Sequence, residues 1–290
     1  MWQLLQIELY KIFRRPRTYI AFGASAVLIM LLQFGLKVDG DEYANFMLQN
    51  LGNFEVQGKL LNGYMVCYIV LQLLLVHVPL LVTLVSADMI SGEANVGTLR
   101  LVFSKPYSRT SILLAKFFAT CIYTLLLLIW VAVLALFVSV LVFGTSDLFL
   151  MKTQYIVLIK QDDVFWRYCC AFCFAYVSLV TVAAVGFFLS SFAENSIGPI
   201  VATMSIIILF TVLGTLNLPV FDAINPYLFT THMVIWKEFF DEKVNVNNEA
   251  IAGSIQDLAA IIHSLIVLCV YIIVLIGATI FVMRRKDILT

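Results

Sequence analysis

Charged residues are scarce in this sequence. Of its 290 residues only 12% are Asp, Glu, Lys or Arg, whereas 62% are hydrophobic. Soluble domains carry about 25% charged and roughly 45–50% apolar residues, so a soluble fold could not bury this much apolar surface. The formal net charge is zero, which argues against a nucleic-acid partner, because such proteins present a basic patch. The composition therefore predicts an integral membrane protein.

The sequence also has few groups of the kind that intramembrane enzymes and proton-coupled transporters use. Its apolar runs contain no HExxH motif and no paired aspartates, and no Asp, Glu, Lys or Arg is expected near the centre of a run. His77 and His263 are the two histidines expected at depth, and we favour helix packing over a proton or metal role. We likewise interpret Cys169, Cys170 and Cys173 as small apolar residues on a packed helix face rather than as metal ligands. No catalytic residue, metal site or cofactor of its own is predicted for this chain.

Six apolar runs are long enough to cross a bilayer, which takes about 20 residues. They cover roughly residues 18–36, 62–85, 112–143, 168–189, 197–216 and 258–283. The third run is too long for the bilayer, so it should tilt or extend past one face. No repeat or low-complexity linker divides the chain. We therefore expect one all-α domain over residues 1–290, with six transmembrane helices.

The distribution of basic residues predicts the orientation. If the amino terminus lies inside, the inner segments hold 11 of the 18 bases against five acids, and the outer loops hold seven bases against 13 acids. Lys and Arg near the ends of spans favour the cytoplasm. We therefore expect both termini on the cytoplasmic side of the plasma (inner) membrane, in a multi-pass arrangement.

Residues 1–17 lack the short apolar core of a signal peptide and predict an amphipathic helix in the plane of the membrane. Its apolar residues fall near one face at helical spacing: Trp2, Leu5, Leu9, Ile12 and Phe13. Lys11, Arg14 and Arg15 should then meet the lipid headgroups at this membrane-interface elbow, and Pro16 should end the helix. A frayed cytosolic tail is the alternative.

The segment "SGEANVGTLR", between the second and third runs, has two glycines five residues apart, as in a phosphate-binding loop. That loop needs a preceding strand and a lysine after its second glycine. Here an apolar span precedes the glycines and Thr98 stands in place of the lysine, so a nucleotide site is excluded. We expect instead a short helix capped by Ser91 and ended by Gly97 in the left-handed conformation, followed by a turn at Pro106.

Several of these residues carry a resemblance to a known family. The pattern S-G-E-x-x-x-G-T-L, then S-K-P-x-S-R, then Lys116 at the head of the next span resembles the permease subunits of ABC-2 type transporters. The opening "ELYKIFRRPRTY" is similar to theirs as well. The resemblance covers the whole chain in layout, and about forty positions near 8–19 and 86–116 at residue level.

The resemblance implies that this chain is one of two permease subunits, the second a copy or a paralogue, in an exporter. Each permease would bind a separate cytosolic ABC ATPase, and ATP and Mg would be bound there. The loop 86–110 would carry the coupling helix. The ATPase-coupling interface would comprise Ser91, Gly92, Glu93, Gly97, Thr98, Leu99, Lys105, Pro106 and Arg109. Thr98→Pro or Glu93→Lys is then expected to uncouple hydrolysis from transport while leaving the fold largely intact.

The outer loop 217–257 is rich in acids and contains apolar residues at helical spacing. We expect a half-buried helix there, which would gate an exit, dock an extracytoplasmic partner or simply cap the bundle. A membrane anchor or assembly scaffold without transport is the alternative function for the whole chain. A simple anchor would not need a loop like 86–110.

Overall fold

The computed structural model describes residues 1–40, 42, 61–104, 106–151, 156–216, 223–243, 245 and 251–286. Within them, six helices are long and apolar enough to cross a membrane. In chain order these are α2 (Pro16–Val38), α3 (Gly63–Ser86), α6 (Arg109–Phe143), α7 (Gln161–Ser190), α8 (Ile197–Thr215) and α10 (Leu258–Arg285). They confirm the six predicted apolar runs, each to within a few residues except at the start of α7.

Shorter helices lie between or before the spans in the described residues. They are α1 (Trp2–Arg14), α4 (Ser91–Asn95), α5 (Leu99–Phe103) and α9 (Phe229–Met233), with 3-10 turns at Asn225–Tyr227 and Val234–Phe240. Pro16 is the first residue of α2, so the helix before it ends at Arg14, as expected for a residue without a backbone N–H. Side-chain caps begin three of the six long helices: Asn62 accepts from Met65 N, Ser108 from Ser111 N and Asp257 from Ala260 N.

Helix α6 is about 52 Å long at about 1.5 Å per residue, against about 30 Å of hydrocarbon. Its 35 residues are interrupted by a π-helical segment, Val133–Val138. Gln33 of α2 is buried beside this segment, and its side-chain amide donates to the Leu134 carbonyl (2.8 Å) and to the Ser139 hydroxyl (2.9 Å). A polar side chain inside a span is thus satisfied by a backbone carbonyl of the π turn.

A β-hairpin was not predicted. Strands β1 (Leu148–Met151) and β2 (Ile156–Ile159) pair antiparallel, with Leu148 opposite Ile159. Strands of four residues give too short an alternation to distinguish them from the end of an apolar run. The hairpin lies at the start of α3, because the Asn62 side chain donates to the Asp147 carbonyl (2.6 Å).

The start of α7 was predicted too late, at residue 168 instead of Gln161. The reason is Arg167. Its charge predicted a loop residue, but in the structure its side chain is fully buried. It donates to Asp163, to Glu242 (2.9 Å) and to the backbone carbonyls of Phe239 and Ser254. These bonds hold the segment that follows α8 against α7, and we call this group the outer cluster.

The segment expected to form a helix in the outer loop is helical over residues 229–240, and Trp236, Phe239 and Phe240 are buried. They pack against aromatic residues of the spans, with Phe240 4.8 Å from Tyr168 between ring centroids. These contacts match a cap on this end of the bundle.

Three expectations about polar residues in the spans need correction. His263 of α10, which was expected at depth, is exposed. Cys169 and Cys173 are exposed on the surface of α7 and do not lie on a packed face. His77 is exposed, and its Nδ1 contacts the Leu73 carbonyl of its own helix (3.0 Å) instead of a neighbouring helix. The buried histidine is His232 of α9, which contacts Ser264 Oγ (3.0 Å) and the Pro226 carbonyl (2.9 Å).

Candidate functional site

The first group of interest is a set of four charged side chains from three elements. Lys11 of α1 contacts Glu8 (2.7 Å) and Glu93 of α4 (2.8 Å). Lys116 of α6 contacts the same two carboxylates, at 3.0 Å and 2.7 Å. Two bases and two acids therefore alternate in a closed ring, which we call the inner ring. It joins the amino-terminal helix, the loop helix α4 and the third span.

Three of the four charged side chains of the inner ring are buried, so unpairing one of them costs free energy. The side chain of Lys116 is 1% exposed, and those of Glu8 and Glu93 are 6% and 5% exposed. A buried charge is tolerated only when it is paired, and removing one partner is costly. Glu93 Oε2 has no hydrogen-bond partner among the described residues. Glu93 Oε2 can therefore accept one further hydrogen bond.

Two of the ring members outside the spans, Glu93 and Lys11, have shifted pKa values. Burial would raise the pKa of Glu93, but the Lys116 ammonium and hydrogen bonds from Lys11 and Lys116 hold it below its ordinary value. Burial would lower the pKa of Lys11, but hydrogen bonds to Glu8 and Glu93 raise it above its ordinary value. Both groups are therefore charged at neutral pH.

A second ionic group lies beside the inner ring. Asp88, which is 5% exposed, pairs with Arg15 through one carboxylate oxygen and with Arg17 through the other (2.7 Å). The two arginines stand on either side of Pro16, where α1 ends and α2 begins. A Cβ added at Gly92 would lie 2.6 Å from Asp88 Oδ1. Glycine at this position therefore leaves the carboxylate room to sit between the two guanidinium groups.

Helix α4 is also attached to the fourth span. Ser190, the last residue of α7, accepts hydrogen bonds at Oγ from the backbone N–H groups of Ile90 (3.1 Å) and Ser91 (2.9 Å). One turn earlier, a Cβ added at Gly186 would lie 2.4 Å from Ser86 Oγ, so α3 and α7 approach closely there. Helix α4 is thus held by α1, α6 and α7 together.

The residues expected at an ATPase interface separate into two sets. Ser91, Gly92, Glu93 and Leu99 are buried, and they serve the attachment of the loop to the bundle. Ser91 begins α4 instead of capping it, because its hydroxyl donates to the Ala87 carbonyl (2.8 Å) and does not accept from the helix. Gly97 has φ +74°, the expected left-handed conformation.

The remaining members of that set occupy the surface and the turn. Thr98 is half-buried and its hydroxyl contacts the Glu93 carbonyl (3.3 Å), Pro106 is exposed, and Lys105 lies outside the described residues. Arg109 begins α6 and donates to the Met283 (3.2 Å) and Lys286 (3.1 Å) carbonyls. Arg109 therefore connects the start of the third span to the end of the sixth.

The outer surface of the loop is formed by residues that the sequence motif did not single out. Asn95, Val96 and Gly97 are exposed, and so is Leu101 of α5. Val96 and Leu101 are 73% and 68% exposed, so most of their apolar surface is free of contacts with the described residues. We call Val96 and Leu101 the apolar tip. The signal for it was available in the sequence, since both are apolar residues in a loop predicted to be outside the membrane.

The three elbow residues have different positions. Arg14 is exposed and lies over the Tyr10 ring (5.2 Å). Arg15 pairs with Asp88, and Lys11 belongs to the inner ring. Sequence reasoning placed all three at headgroups because helical spacing cannot reveal an acid from a distant segment. Glu8, Asp88 and Ser190 were not proposed as site residues, although Glu8 stands three residues before Lys11 in the motif.

Comparison with known proteins completes the description of the site. No curated protein matches the chain. A family described as "Protein of unknown function (DUF2705)" has a model that matches residues 26–289, which include Asp88, Glu93, Lys116 and the apolar tip but not α1. The chain therefore belongs to the DUF2705 family.

Proposed function

We propose that this chain is the membrane-spanning permease subunit of an ABC-2 type exporter, working with a separate cytosolic ATPase. The observation that carries the proposal is the loop between α3 and α6, which is folded, attached to three other elements and tipped by exposed apolar residues. A connector needs none of these features. An anchor or scaffold without transport remains the alternative that the experiment below must separate.

The proposed orientation places both termini, α1 and this loop in the cytoplasm of a cell whose plasma membrane the six helices cross. The contacts of Arg109 with Met283 and Lys286 support it, because they bring the basic end of α10 to the same end of the bundle as α1 and α4. This end then holds most of the basic residues, as the preference of Lys and Arg for the cytoplasm requires.

The apolar tip is the part of the loop that suits a groove on an ATPase. Val96 and Leu101 would be buried on docking, and apolar side chains contribute about 25 cal/mol for each Å² removed from water. Glu93 stands behind the tip, within the inner ring, and does not need to touch the ATPase. Its proposed role is to hold α4 rigidly to α1 and α6.

The mechanism follows from this attachment. ATP would bring two ATPases together, and each would displace the tip seated in it. Since α4 is bound to α1, α6 and α7 by buried ionic and hydrogen bonds, a displacement of the tip moves the ends of the third and fourth spans with it. The permease pair would then alternate between two packings, and ATP would favour the packing that binds its ATPases better.

The test is co-purification. The tagged full-length chain is purified from its native membranes in mild detergent, and accompanying proteins are identified by mass spectrometry. We expect an ABC ATPase with the wild type and a loss of at least about tenfold with Val96→Asp/Leu101→Asp, because charged groups replace a buried apolar contact. Ile251→Asp/Leu258→Asp is the matched control: it also adds two acids at exposed apolar positions, at the far end of the bundle.

The outcomes separate the two functions. If the ATPase is absent from wild type and variants alike, the exporter loses its source of energy and the scaffold function replaces it. If the ATPase is present but insensitive to the tip variant, or is lost equally with the control variant Ile251→Asp/Leu258→Asp, the tip is not the docking surface.

A further inference from the structure

We propose that Arg15 and Arg17, bridged by Asp88, form a binding site for the phosphate group of an anionic phospholipid. This inference does not rest on the proposed transport function. It needs only the junction of α1 and α2 to lie at the membrane surface, where the first candidate span begins.

The charge of this region favours an anion. The inner ring holds two bases and two acids and is balanced. Asp88 is shared between Arg15 and Arg17, and exposed Arg14 has no acidic partner among the described residues. The inner ring, the Asp88 group and Arg14 together hold five bases and three acids, which is a surplus of two positive charges. The surplus lies in the guanidinium groups, which are the more exposed members.

The geometry of the two arginines suits phosphate oxygens. Their side chains are 37% and 48% exposed, whereas the carboxylate between them is 5% exposed. Each contacts Asp88 through Nη1, and among the described residues Nη2 and Nε have no further partner. A guanidinium group presents N–H donors in a planar fork that matches phosphate. Asp88 therefore holds Arg15 by a hydrogen bond and Arg17 by an ion pair, and it leaves the other donors of these two half-exposed groups for a ligand.

The surroundings identify a lipid as the source of the phosphate. Trp2, Tyr10 and Tyr19 are each more than 60% exposed, and they flank the arginines along α1 and α2. Trp and Tyr are enriched at the headgroup level of membranes. Ile20, 58% exposed on the first turns of α2, faces the same exterior. A phosphate reaching Arg15 and Arg17 at this depth belongs to a phospholipid, although inorganic phosphate presents the same oxygens.

The experiment is a lipid titration of the purified full-length chain in detergent, followed by native mass spectrometry. Phosphatidylglycerol is compared with phosphatidylcholine. We expect phosphatidylglycerol to bind more tightly to the wild type, and Arg15→Gln/Arg17→Gln to weaken it by about 25-fold, at roughly fivefold for each basic residue near the surface. Arg284→Gln/Arg285→Gln makes the same change in charge in the last turn of α10 and should leave this affinity nearly unchanged.

Two further arms keep the result decisive. Arg15→Lys/Arg17→Lys retains a charged partner for Asp88, so the fold is preserved, yet it removes the planar forks and should give an intermediate affinity. An equal weakening by the α10 control variant would overturn the site, since surface charge alone would then explain binding. Displacement of phosphatidylglycerol by equimolar inorganic phosphate would overturn the lipid assignment.

Discussion

Lys116 carries a charge at a position that is 1% exposed, and two carboxylates from distant segments surround it. Lys116→Met would leave Glu8 and Glu93 buried with Lys11 as their common partner. Breaking a buried ionic group in this way costs about 3–5 kcal/mol. We expect a marked loss of thermal stability of the detergent-purified chain, measured by size-exclusion chromatography after heating.

The double variant Lys116→Met/Glu93→Gln is the internal control for this prediction. It removes one charge of each sign and leaves Glu8 paired with Lys11, so it should regain part of the lost stability. A double variant as unstable as the single one would show that Lys116 contributes through packing and not through its charge.

The inner ring also changes the effect that we expect of Glu93→Lys. From the motif alone it was expected to uncouple hydrolysis while sparing the fold. In the structure it would put three ammonium groups around Glu8, so we now expect loss of the folded protein. A well-folded Glu93→Lys variant, judged by a symmetric elution peak and wild-type melting, would contradict the inner ring.

The inner ring also predicts a pH dependence. The pKa of Glu93 is lowered, so its stabilising effect is complete above the ordinary value of 4.5 and is lost as pH falls through the lower folded-state value. The pKa of Lys11 is raised, so its effect is complete below the ordinary value of 10.5 and is lost as pH rises through the higher folded-state value. Melting temperatures should therefore fall at both limits.

Glu93→Gln tests the acid limit of this dependence. The variant should melt at a lower temperature than the wild type at neutral pH, and the difference should shrink as pH falls below 4.5. A difference that stays constant across the acid range would mean that Glu93 does not titrate in step with folding.

At the scale of elements, the contact of α3 with α7 depends on Gly186. Its hypothetical Cβ lies 2.4 Å from Ser86 Oγ and 3.2 Å from Ala87 N, and the second of these is backbone that cannot rotate away. We expect Gly186→Ala to separate the two helices and lower the melting temperature. Gly277→Ala in α10 is the control, because nothing lies within 4 Å of its Cβ. In a helix that change should be neutral or stabilising by up to about 1 kcal/mol.

Helices of this kind were predictable because a run of apolar residues is a sufficient signal for a span. The sequence did not reveal which buried polar groups pair with groups from distant elements. The start of α7 was missed because Arg167 was interpreted as a charged residue exposed to water. In the structure its side chain pairs with Asp163 and Glu242 and donates to a backbone carbonyl of another segment. Likewise, the motif located α4 but could not distinguish Glu93, which faces inward, from Val96, which faces outward.

At the scale of the whole molecule, ionic groups occupy both ends of the bundle. The outer cluster holds the segment 223–243 on α7 through Arg167, and burial together with Asp163 raises the pKa of Glu242 above its ordinary value despite the Arg167 charge. We expect Arg167→Met to release this segment and speed its amide hydrogen exchange by at least about tenfold, given a local cost above about 1.4 kcal/mol. Lys243→Met, at an exposed position in the same segment, should leave exchange unchanged.

The π-helical segment of α6 also affects the whole molecule. A π turn contains one residue more than an α turn, and each residue advances an α-helix by about 100°. Ser139 meets Gln33, and a Cβ at Gly63 would lie 2.5 Å from Val140 Cα, because the π turn takes up a residue that would turn the rest of a regular α-helix by about 100°. Deleting Phe137, which is 55% exposed, should therefore let the segment close into regular α-helix with Ser139 still beside Gln33, and only the Gln33 bond to the Leu134 carbonyl should be lost. Loss of the folded protein, judged by its melting temperature, would contradict this role of the extra residue.

The two parts of α6 therefore have different rotational phases. A helical wheel drawn through all of residues 109–143 misplaces every residue after the π turn by about 100°. Lys116 and Ser139 belong to opposite ends of the bundle, and the angle between their side chains includes the rotation taken up by the extra residue, because the π turn lies between them. Moving the π turn along the helix would rotate only the residues between its old and new positions and would leave both ends in place.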